Sequence, residues 1–245
     1  MGLKTSIQWT DSTHNFWMGC LKVSPGCKQC YMYRDMERYG RDPKVVIRTK
    51  GFDKPLNWKE PQKVFVNSWS DFFIEQADEW IDDAWEIIRR TPHLTYQILT
   101  KRPENIKDRL PDDWETGWPH VWLGVSVESK KYLWRLEALD SIPAAVKFVS
   151  YEPALEYVDF STYAPILDWL IAGGESGYNP RLADTDWFRQ VRDDCLKSGI
   201  PYFLKQLGGL KKVDGAWGGR LLDGRTWDEF PKISQPQLKK TGANQ

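Results

Sequence analysis

The sequence predicts an α/β fold in which a single domain forms a partial or full (β/α) barrel, of the TIM-barrel type, with about six to eight parallel strands. Two observations favour this fold. Short, β-rich apolar runs alternate with segments of helical periodicity along the chain, which is typical of a parallel sheet covered by helices. The 245 residues, with 41% hydrophobic content, also fit one barrel domain. We expect this domain to span residues 1–233, followed by a disordered tail at 234–245.

The first strand is expected near residues 5–10, directly before a loop that is rich in cysteine. Further apolar runs predict strands at residues 63–68, 94–100, 120–127, 146–150, 167–172 and 201–204. Two of the intervening segments place apolar residues on one face of a helix. These residues are Trp80, Ile81, Ala84, Trp85 and Ile88 in the first segment, and Trp187, Phe188, Val191 and Cys195 in the last.

Polar, charged or glycine residues follow each of these later strands. In chain order they are Ser68 and Asp71, Lys101 and Arg102, Ser126 and Glu128, Ser150 and Glu152, Gly173, Gly174 and Glu175, and Lys205 and Gln206. Because the carboxyl ends of the strands form the active-site face of a barrel, we expect these side chains to meet at one mouth. Each residue alone also has a structural interpretation, such as a helix cap at Ser126 and Glu128 or a tight turn at the glycines.

The stretch GCLKVSPGCKQCYM places Cys20, Cys27 and Cys30 in one loop with the spacing C-x6-C-x2-C. Three thiolates can fill three corners of a tetrahedral metal site, or bind three irons of a 4Fe-4S cluster and leave the fourth iron open. A disulfide framework is not indicated, because the fourth cysteine, Cys195, is distant and falls on the core face of a helix. Residues 1–19 contain no apolar run typical of a signal peptide, so we expect a cytoplasmic protein.

Zinc is the alternative to an iron-sulfur cluster in this loop. His14, six residues before Cys20, is a candidate fourth ligand of a closed structural site. Structural zinc most often stabilises small domains that lack a core, whereas this chain can bury a large core unaided. The residues alone do not distinguish a zinc ion from an iron-sulfur cluster.

The cysteine loop is followed by VNSWSD, ILTKRPE, GVSVE, VSYEP, IAGGESG and FLKQLGG. Over roughly residues 10–209 this series resembles a family of phage- and prophage-encoded three-Cys-motif proteins, which is in turn similar to a divergent branch of the radical S-adenosylmethionine (radical SAM) superfamily. The resemblance implies a cluster in the first barrel loop, an open iron that binds S-adenosylmethionine, and reductive cleavage of this cofactor to a 5′-deoxyadenosyl radical. This chain departs from the superfamily pattern at two points. The usual spacing is C-x3-C-x2-C, whereas the first gap here has six residues, and Gln29 stands before the last cysteine, where an aromatic residue is common.

In this interpretation Cys20, Cys27 and Cys30 are the metal ligands. The candidate catalytic residues are Lys101, Glu128, Glu152 and Lys205, and the candidate cofactor-binding residues are Tyr31, Ser68, Asp71, Ser126, Gly173, Gly174 and Glu175. Acidic side chains would pair with the ammonium or ribose hydroxyls of S-adenosylmethionine, and basic side chains would neutralise its carboxylate or a substrate phosphate. An electron donor such as flavodoxin or ferredoxin is the partner that this chemistry implies.

The substrate is not determined by composition. The chain has 34 basic and 34 acidic residues, so a general electrostatic affinity for nucleic acid is not indicated. Nucleic acid stays a candidate substrate for modification or repair, because the resembling family is associated with phages and because spore photolyase, a radical enzyme of the same superfamily, acts on DNA. No stretch is long and apolar enough for a membrane span. The alternative function is a non-catalytic zinc or iron-sulfur protein that acts through a dedicated partner protein.

Overall fold

A computed structural model describes residues 5–232 of the chain, and the predicted tail at 234–245 lies outside the described residues. In chain order the strands are β1 (Ser12–His14), β2 (Trp17–Met18), β3 (Ile47–Arg48), β4 (Gln62–Val66), β5 (Leu94–Thr100), β6 (Val121–Ser126), β7 (Val146–Tyr151), β8 (Trp169–Gly173), β9 (Tyr202–Gln206), β10 (Lys212–Val213) and β11 (Ala216–Trp217). The α-helices are α1 (Tyr31–Arg38), α2 (Asp78–Arg90), α3 (Trp134–Asp140) and α4 (Thr185–Ser198). Short 3-10 helices occur at Pro25–Cys27, Lys54–Asn57, Glu75–Ala77, Pro103–Asn105, Lys107–Arg109, Lys130–Tyr132 and Ser161–Ile166.

Seven parallel strands form the main sheet, in the order β1-β4-β5-β6-β7-β8-β9. Each pairs with the next in parallel register, for example Val66 with Ile98 and Ser126 with Ser150. The sheet curls into half of a barrel with helices on its outer side, which confirms the predicted α/β class and the partial barrel. Among residues 5–232, no helix combines the length and the apolar character that a membrane span requires.

The predicted first strand at residues 5–10 is wrong, because this segment forms a turn and β1 begins only at Ser12. Trp9 is not part of the sheet, and its ring packs against Phe65 with the ring centroids 4.5 Å apart. The hydroxyl of Thr10 donates a hydrogen bond to the carbonyl of Lys63 at 3.1 Å. Parallel pairing with β4 therefore starts after this side-chain contact.

The convex face of the sheet packs against the helices. Leu94, Tyr96 and Ile98 of β5 belong to this larger core. The apolar faces predicted for two helices are confirmed by their buried residues, Ile81, Ala84, Trp85 and Ile88 on α2 and Phe188, Val191 and Cys195 on α4. Trp80 and Trp187, which were assigned to the same faces, are half-buried at their margins.

The concave face carries a smaller apolar core, which forms the floor of the half-barrel. Its buried members are Trp9, Phe65, Trp122, Val146, Phe148, Trp169, Ile171 and Phe203. The segment 227–230 completes it: the carbonyl of Trp227 accepts a hydrogen bond from Leu204 N on β9, and the ring of Phe230 lies 5.1 Å from that of Trp169. Above this floor, towards the carboxyl ends of the strands, the concave face becomes polar.

Candidate functional site

A cavity of about 540 Å³ opens above the floor, at the carboxyl ends of the strands. This volume lies in the range of small-molecule sites, about 300–1,000 Å³. Its walls come from the cysteine loop, from the ends of the central strands and from the hairpin of β10 and β11. Most of the site residues predicted from the sequence line it, namely Cys20, Cys27, Cys30, Tyr31, Ser68, Asp71, Lys101, Ser126, Glu152 and Lys205.

The cysteine loop is folded by local backbone bonds and fixed at both ends. Cys27 N donates to Ser24 O at 3.0 Å within a 3-10 turn that starts at Pro25, where proline is favoured. Cys20 N donates to Pro43 O at 2.8 Å, and Cys30 directly precedes α1. The loop thus presents its thiols from a defined backbone.

Arg102 holds the start of this loop from the end of β5. Its Nη2 donates to the carbonyl of Leu21 at 2.8 Å, and its Nη1 lies 3.8 Å from Sγ of Cys20. Asp71 orients this guanidinium, because its Oδ2 lies 3.4 Å from Arg102 Nη1 and also accepts a hydrogen bond from Lys101 N at 2.9 Å. The other oxygen of Asp71 accepts from the hydroxyl of Thr100 at 2.6 Å. Asp71 lines the cavity, but its carboxylate is occupied with positioning the loop.

Glu128, a predicted catalytic residue, does not line the cavity. Its side chain has no solvent exposure, and its Oε2 accepts a hydrogen bond at 2.8 Å from Nη1 of Arg135, which is itself 1% exposed. The hydroxyl of Ser24 in the cysteine loop donates to the other carboxylate oxygen. Glu128 therefore anchors the cysteine loop to the body of the domain.

Glu152 and Lys205 form an ion pair on the opposite wall. Lys205 Nζ lies 3.0 Å from Oε1 of Glu152, and the hydroxyl of Ser150 donates to Oε2 at 3.2 Å. Gly173 on β8 lies between the two strands, and a Cβ atom there would lie 2.6 Å from Oε1 of Glu152. The glycine thus makes room for the carboxylate to cross β8 and reach Lys205.

Gly173, Gly174 and Glu175, predicted to bind a cofactor, also lie outside the cavity lining. Gly174 packs so closely on β9 that a Cβ atom would overlap the carbonyl of Leu207. Glu175 is 6% exposed and accepts a hydrogen bond from Nε of Arg181 at 2.9 Å. Burial acts to raise the pKa of Glu175, but the hydrogen bonds from Arg181 outweigh it and the net pKa is lowered. These residues serve strand packing and a local ion pair.

Two of the three cysteine thiols of the loop, those of Cys20 and Cys30, have a raised pKa. Burial raises the pKa of Cys20 to about 12, with a further increase from the Asp71 carboxylate and an opposing effect of Arg102. Burial also raises the pKa of Cys30, against the opposing charge of Lys101. Deprotonation of these thiols therefore needs a compensating positive charge, such as a metal provides.

His14, the candidate fourth ligand, does not join the cysteines. Its ring is buried at the outer side of β1, its Nε2 lies 3.1 Å from the carbonyl of Phe52, and it packs edge-on against Phe16 and Trp58. Burial lowers the pKa of His14 to about 4. Within residues 5–232, no three histidine, cysteine, aspartate or glutamate side chains form a group that could hold a metal ion.

Several cavity residues were missed in the sequence. Asn67 directly follows β4 and has a left-handed backbone (φ 53°), and Trp9 lines the cavity from the turn before β1. Lys212 and Trp217 line it from the β10–β11 hairpin, whose turn is Asp214–Gly215 with positive φ at both residues. An Asp-Gly pair between short β-rich runs is a strong hairpin signal, so this element was predictable.

Comparison with known proteins identifies a family. A search of curated proteins and a search of solved structures gave no match. A family model described as "Protein of unknown function (DUF5131)" matches residues 4–231. Since this match spans nearly the whole chain, the protein belongs to the DUF5131 family.

Proposed function

We propose that this protein is a radical SAM-like iron-sulfur enzyme, which reductively cleaves S-adenosylmethionine in order to modify or repair a substrate, with nucleic acid as a candidate. One observation carries the proposal: Cys20, Cys27 and Cys30 line the same cavity as the charged strand-end residues Lys101, Glu152 and Lys205. This cavity lies at the carboxyl ends of parallel strands, where α/β barrels have their active sites.

The available ligands fit a 4Fe-4S cluster better than a single zinc ion. Each cysteine of a cluster binds a different iron, so the three thiols need not converge on one point. Structural zinc needs four ligands about 2.0–2.3 Å from one ion. His14, the proposed fourth ligand, is engaged with Phe52 on the other side of β1.

A bound cluster with an open iron supplies a coordination site for S-adenosylmethionine and the electron for cleaving its sulfonium. The chain's own residues hold and tune this site. Arg102 and Glu128 fix the loop from two sides, the first at Leu21 and the second through Ser24. Lys101 lies close enough to Cys30 to favour its thiolate electrostatically.

Glu152 and Lys205 are the groups best placed to act on bound molecules. Their side chains are 14% and 28% exposed, so both reach the cavity while being held by their ion pair. Glu152 can accept a proton or a hydrogen bond at its carboxylate, and Lys205 can donate from Nζ. The floor below them consists of buried apolar side chains, which offer water few hydrogen-bond partners.

The test is electron paramagnetic resonance of anaerobically purified protein, with iron and zinc quantified, before and after adding S-adenosylmethionine. Dithionite replaces the physiological electron donor, for which a flavodoxin or ferredoxin is proposed. We expect a reduced 4Fe-4S signal that changes when the cofactor is added. One zinc per chain and no iron, after anaerobic reconstitution, would refute the proposal and leave a metal-binding protein that acts through a partner.

Cysteine variants make this test specific. Cys20→Ala, Cys27→Ala and Cys30→Ala should each lose the cluster signal, because each removes one ligand. Cys195→Ala is the matched control, since Cys195 is buried on α4 outside the cavity. Loss of the signal in the control alone would contradict the assignment of the ligands.

A further inference from the structure

Two residues that line the cavity each carry a buried hydrogen-bond donor that has no partner within residues 5–232. The donors are Nδ2 of Asn67 and Nε1 of Trp9, and both residues are 2% exposed. The amide oxygen of Asn67 already accepts a hydrogen bond from Phe16 N at 2.8 Å, which fixes the orientation of the amide. Leaving a buried donor unpaired is unfavourable, so a ligand that accepts from Nδ2 would gain binding free energy there.

The same wall has a surplus of positive charge. Its acidic side chains are already paired, Asp71 with Arg102 and Glu152 with Lys205. Further lysines in the wall have no acidic partner in the part of the chain that the structure describes; they are Lys22, Lys101 and Lys212. Since the chain as a whole has a formal net charge of 0, this surplus is local and attracts an anion to the cavity.

The unpaired donor of Asn67 and one of these lysines, Lys101, lie at the ends of neighbouring strands. Asn67 directly follows β4 and Lys101 directly follows β5, and these strands are paired in parallel, with Val66 opposite Ile98. We infer that the substrate of this site carries a phosphate ester, which accepts hydrogen bonds from Asn67 Nδ2 and from the ammonium of Lys101.

A terminal phosphate, that is a phosphate monoester, fits these groups better than a carboxylate does. A monoester offers three acceptor oxygens and a charge of about −1.5 to −2, against two oxygens and a single charge on a carboxylate. Trp217 adds an aromatic surface to the same cavity, beside Lys212, whose Nζ lies 5.4 Å from the ring centroid. A nucleotide, with a phosphate and a planar base, combines both features and is therefore the probe of choice.

This inference rests on the proposed function only in calling the bound molecule a substrate, because the phosphate site itself needs no cluster. The experiment is isothermal titration of the reconstituted protein with thymidine 5′-monophosphate, thymidine, inorganic phosphate and a short 5′-phosphorylated oligothymidylate. Each titration is done at low salt with saturating S-adenosylmethionine, so that the probe cannot simply occupy the place of that cofactor. A pyrimidine probe also avoids competition through adenine.

Asn67→Asp is the decisive variant. It keeps the oxygen that accepts from Phe16 N and a residue type that tolerates a positive φ, but replaces the unpaired donor with a negatively charged oxygen. We expect Asn67→Asp and Lys101→Gln each to weaken binding of thymidine 5′-monophosphate by about tenfold to a hundredfold. Lys59→Gln, which removes an exposed lysine outside the cavity, is the matched control and should bind like the wild type.

The outcomes separate the phosphate site from the proposed enzyme. Equal binding of thymidine and its monophosphate, or equal loss in Lys59→Gln and Asn67→Asp, would overturn the inference. If the oligothymidylate binds more tightly than thymidine 5′-monophosphate, the inference is supported and the phosphate belongs to a nucleic-acid strand. If these two probes bind equally and both bind more tightly than thymidine, the inference is supported and the phosphate belongs to a free nucleotide. If the monophosphate binds while no cluster signal responds to S-adenosylmethionine, the phosphate site stands and the proposed function fails.

Discussion

Replacing Glu128 with glutamine is expected to destabilise the whole domain, although the residue lies outside the cavity. The carboxylate has no exposure and is paired at 2.8 Å with Arg135, which is 1% exposed. Removing one partner of a buried ion pair costs about 3–5 kcal/mol, because the other charge is left buried and uncompensated. A typical domain unfolds with about 5–15 kcal/mol, so this loss is a large part of the total.

The assay is urea unfolding followed by circular dichroism, in which Glu128→Gln should lower the midpoint by roughly 1 M or more. The double variant Glu128→Gln/Arg135→Met removes both charges and should recover most of the loss. Ser24→Ala leaves the ion pair intact and removes only the loop anchor, so it should lower iron occupancy at limiting iron more than it lowers the midpoint. A Glu128→Gln protein within about 1 kcal/mol of wild type, or a double variant as unstable as the single one, would refute this account.

Three further predictions concern pH, packing and redox. Because burial holds the pKa of His14 at about 4 against 6.5, the unfolded chain binds more protons between these values. The free energy of unfolding should therefore fall by up to about 3 kcal/mol as the pH decreases from 6.5 to 4. Denaturant titrations of His14→Gln should lack this pH-dependent loss, and a variant with the same pH dependence as the wild type would contradict the prediction. Gly173→Ala should displace the Glu152 carboxylate and slow the proposed cleavage of S-adenosylmethionine at least about tenfold. The free energy of unfolding should fall by less than about 2 kcal/mol, and an unchanged cleavage rate would count against the role of Glu152. Arg102→Gln removes the cation beside Cys20. It should lower the midpoint potential of the reconstituted cluster by about 60–100 mV in a redox titration, because the more negative reduced state loses a favourable charge. A midpoint potential equal to that of the wild type would exclude this effect.

The sequence was sufficient for the strands whose apolar character is continuous. The strand predicted at 94–100 coincides with Leu94–Thr100, because burial on both faces of a parallel sheet demands such a run. The failure at residues 5–10 has a physical cause, since the apolar side chain of Trp9 is used by the floor and not by a strand. Local pattern does not distinguish these two ways of burying a tryptophan.

The candidate site was predictable as far as topology determines it. Lys101 and Glu152 directly follow parallel strands and Lys205 is the penultimate residue of β9, so their convergence follows from the carboxyl-end rule. Glu128 lies beyond Ser126, the last residue of β6, so strand alternation no longer determines the direction of its side chain. What the sequence did not reveal is that Ser24, 104 residues away, covers this carboxylate with the cysteine loop.

The segment 227–230 has a consequence for self-association. An open parallel sheet exposes backbone groups along its last strand, and such an edge can pair with another chain. Here Leu204 N and the carbonyl of Tyr202 on β9 are bonded to Trp227 and Glu229, and Phe203 faces Asp228 in an antiparallel bridge. A protein cleaved before Trp227 would therefore expose the edge of β9 and would also lose the ring of Phe230 from the floor below the cavity. The same segment thus shields the sheet edge from other chains and completes the floor.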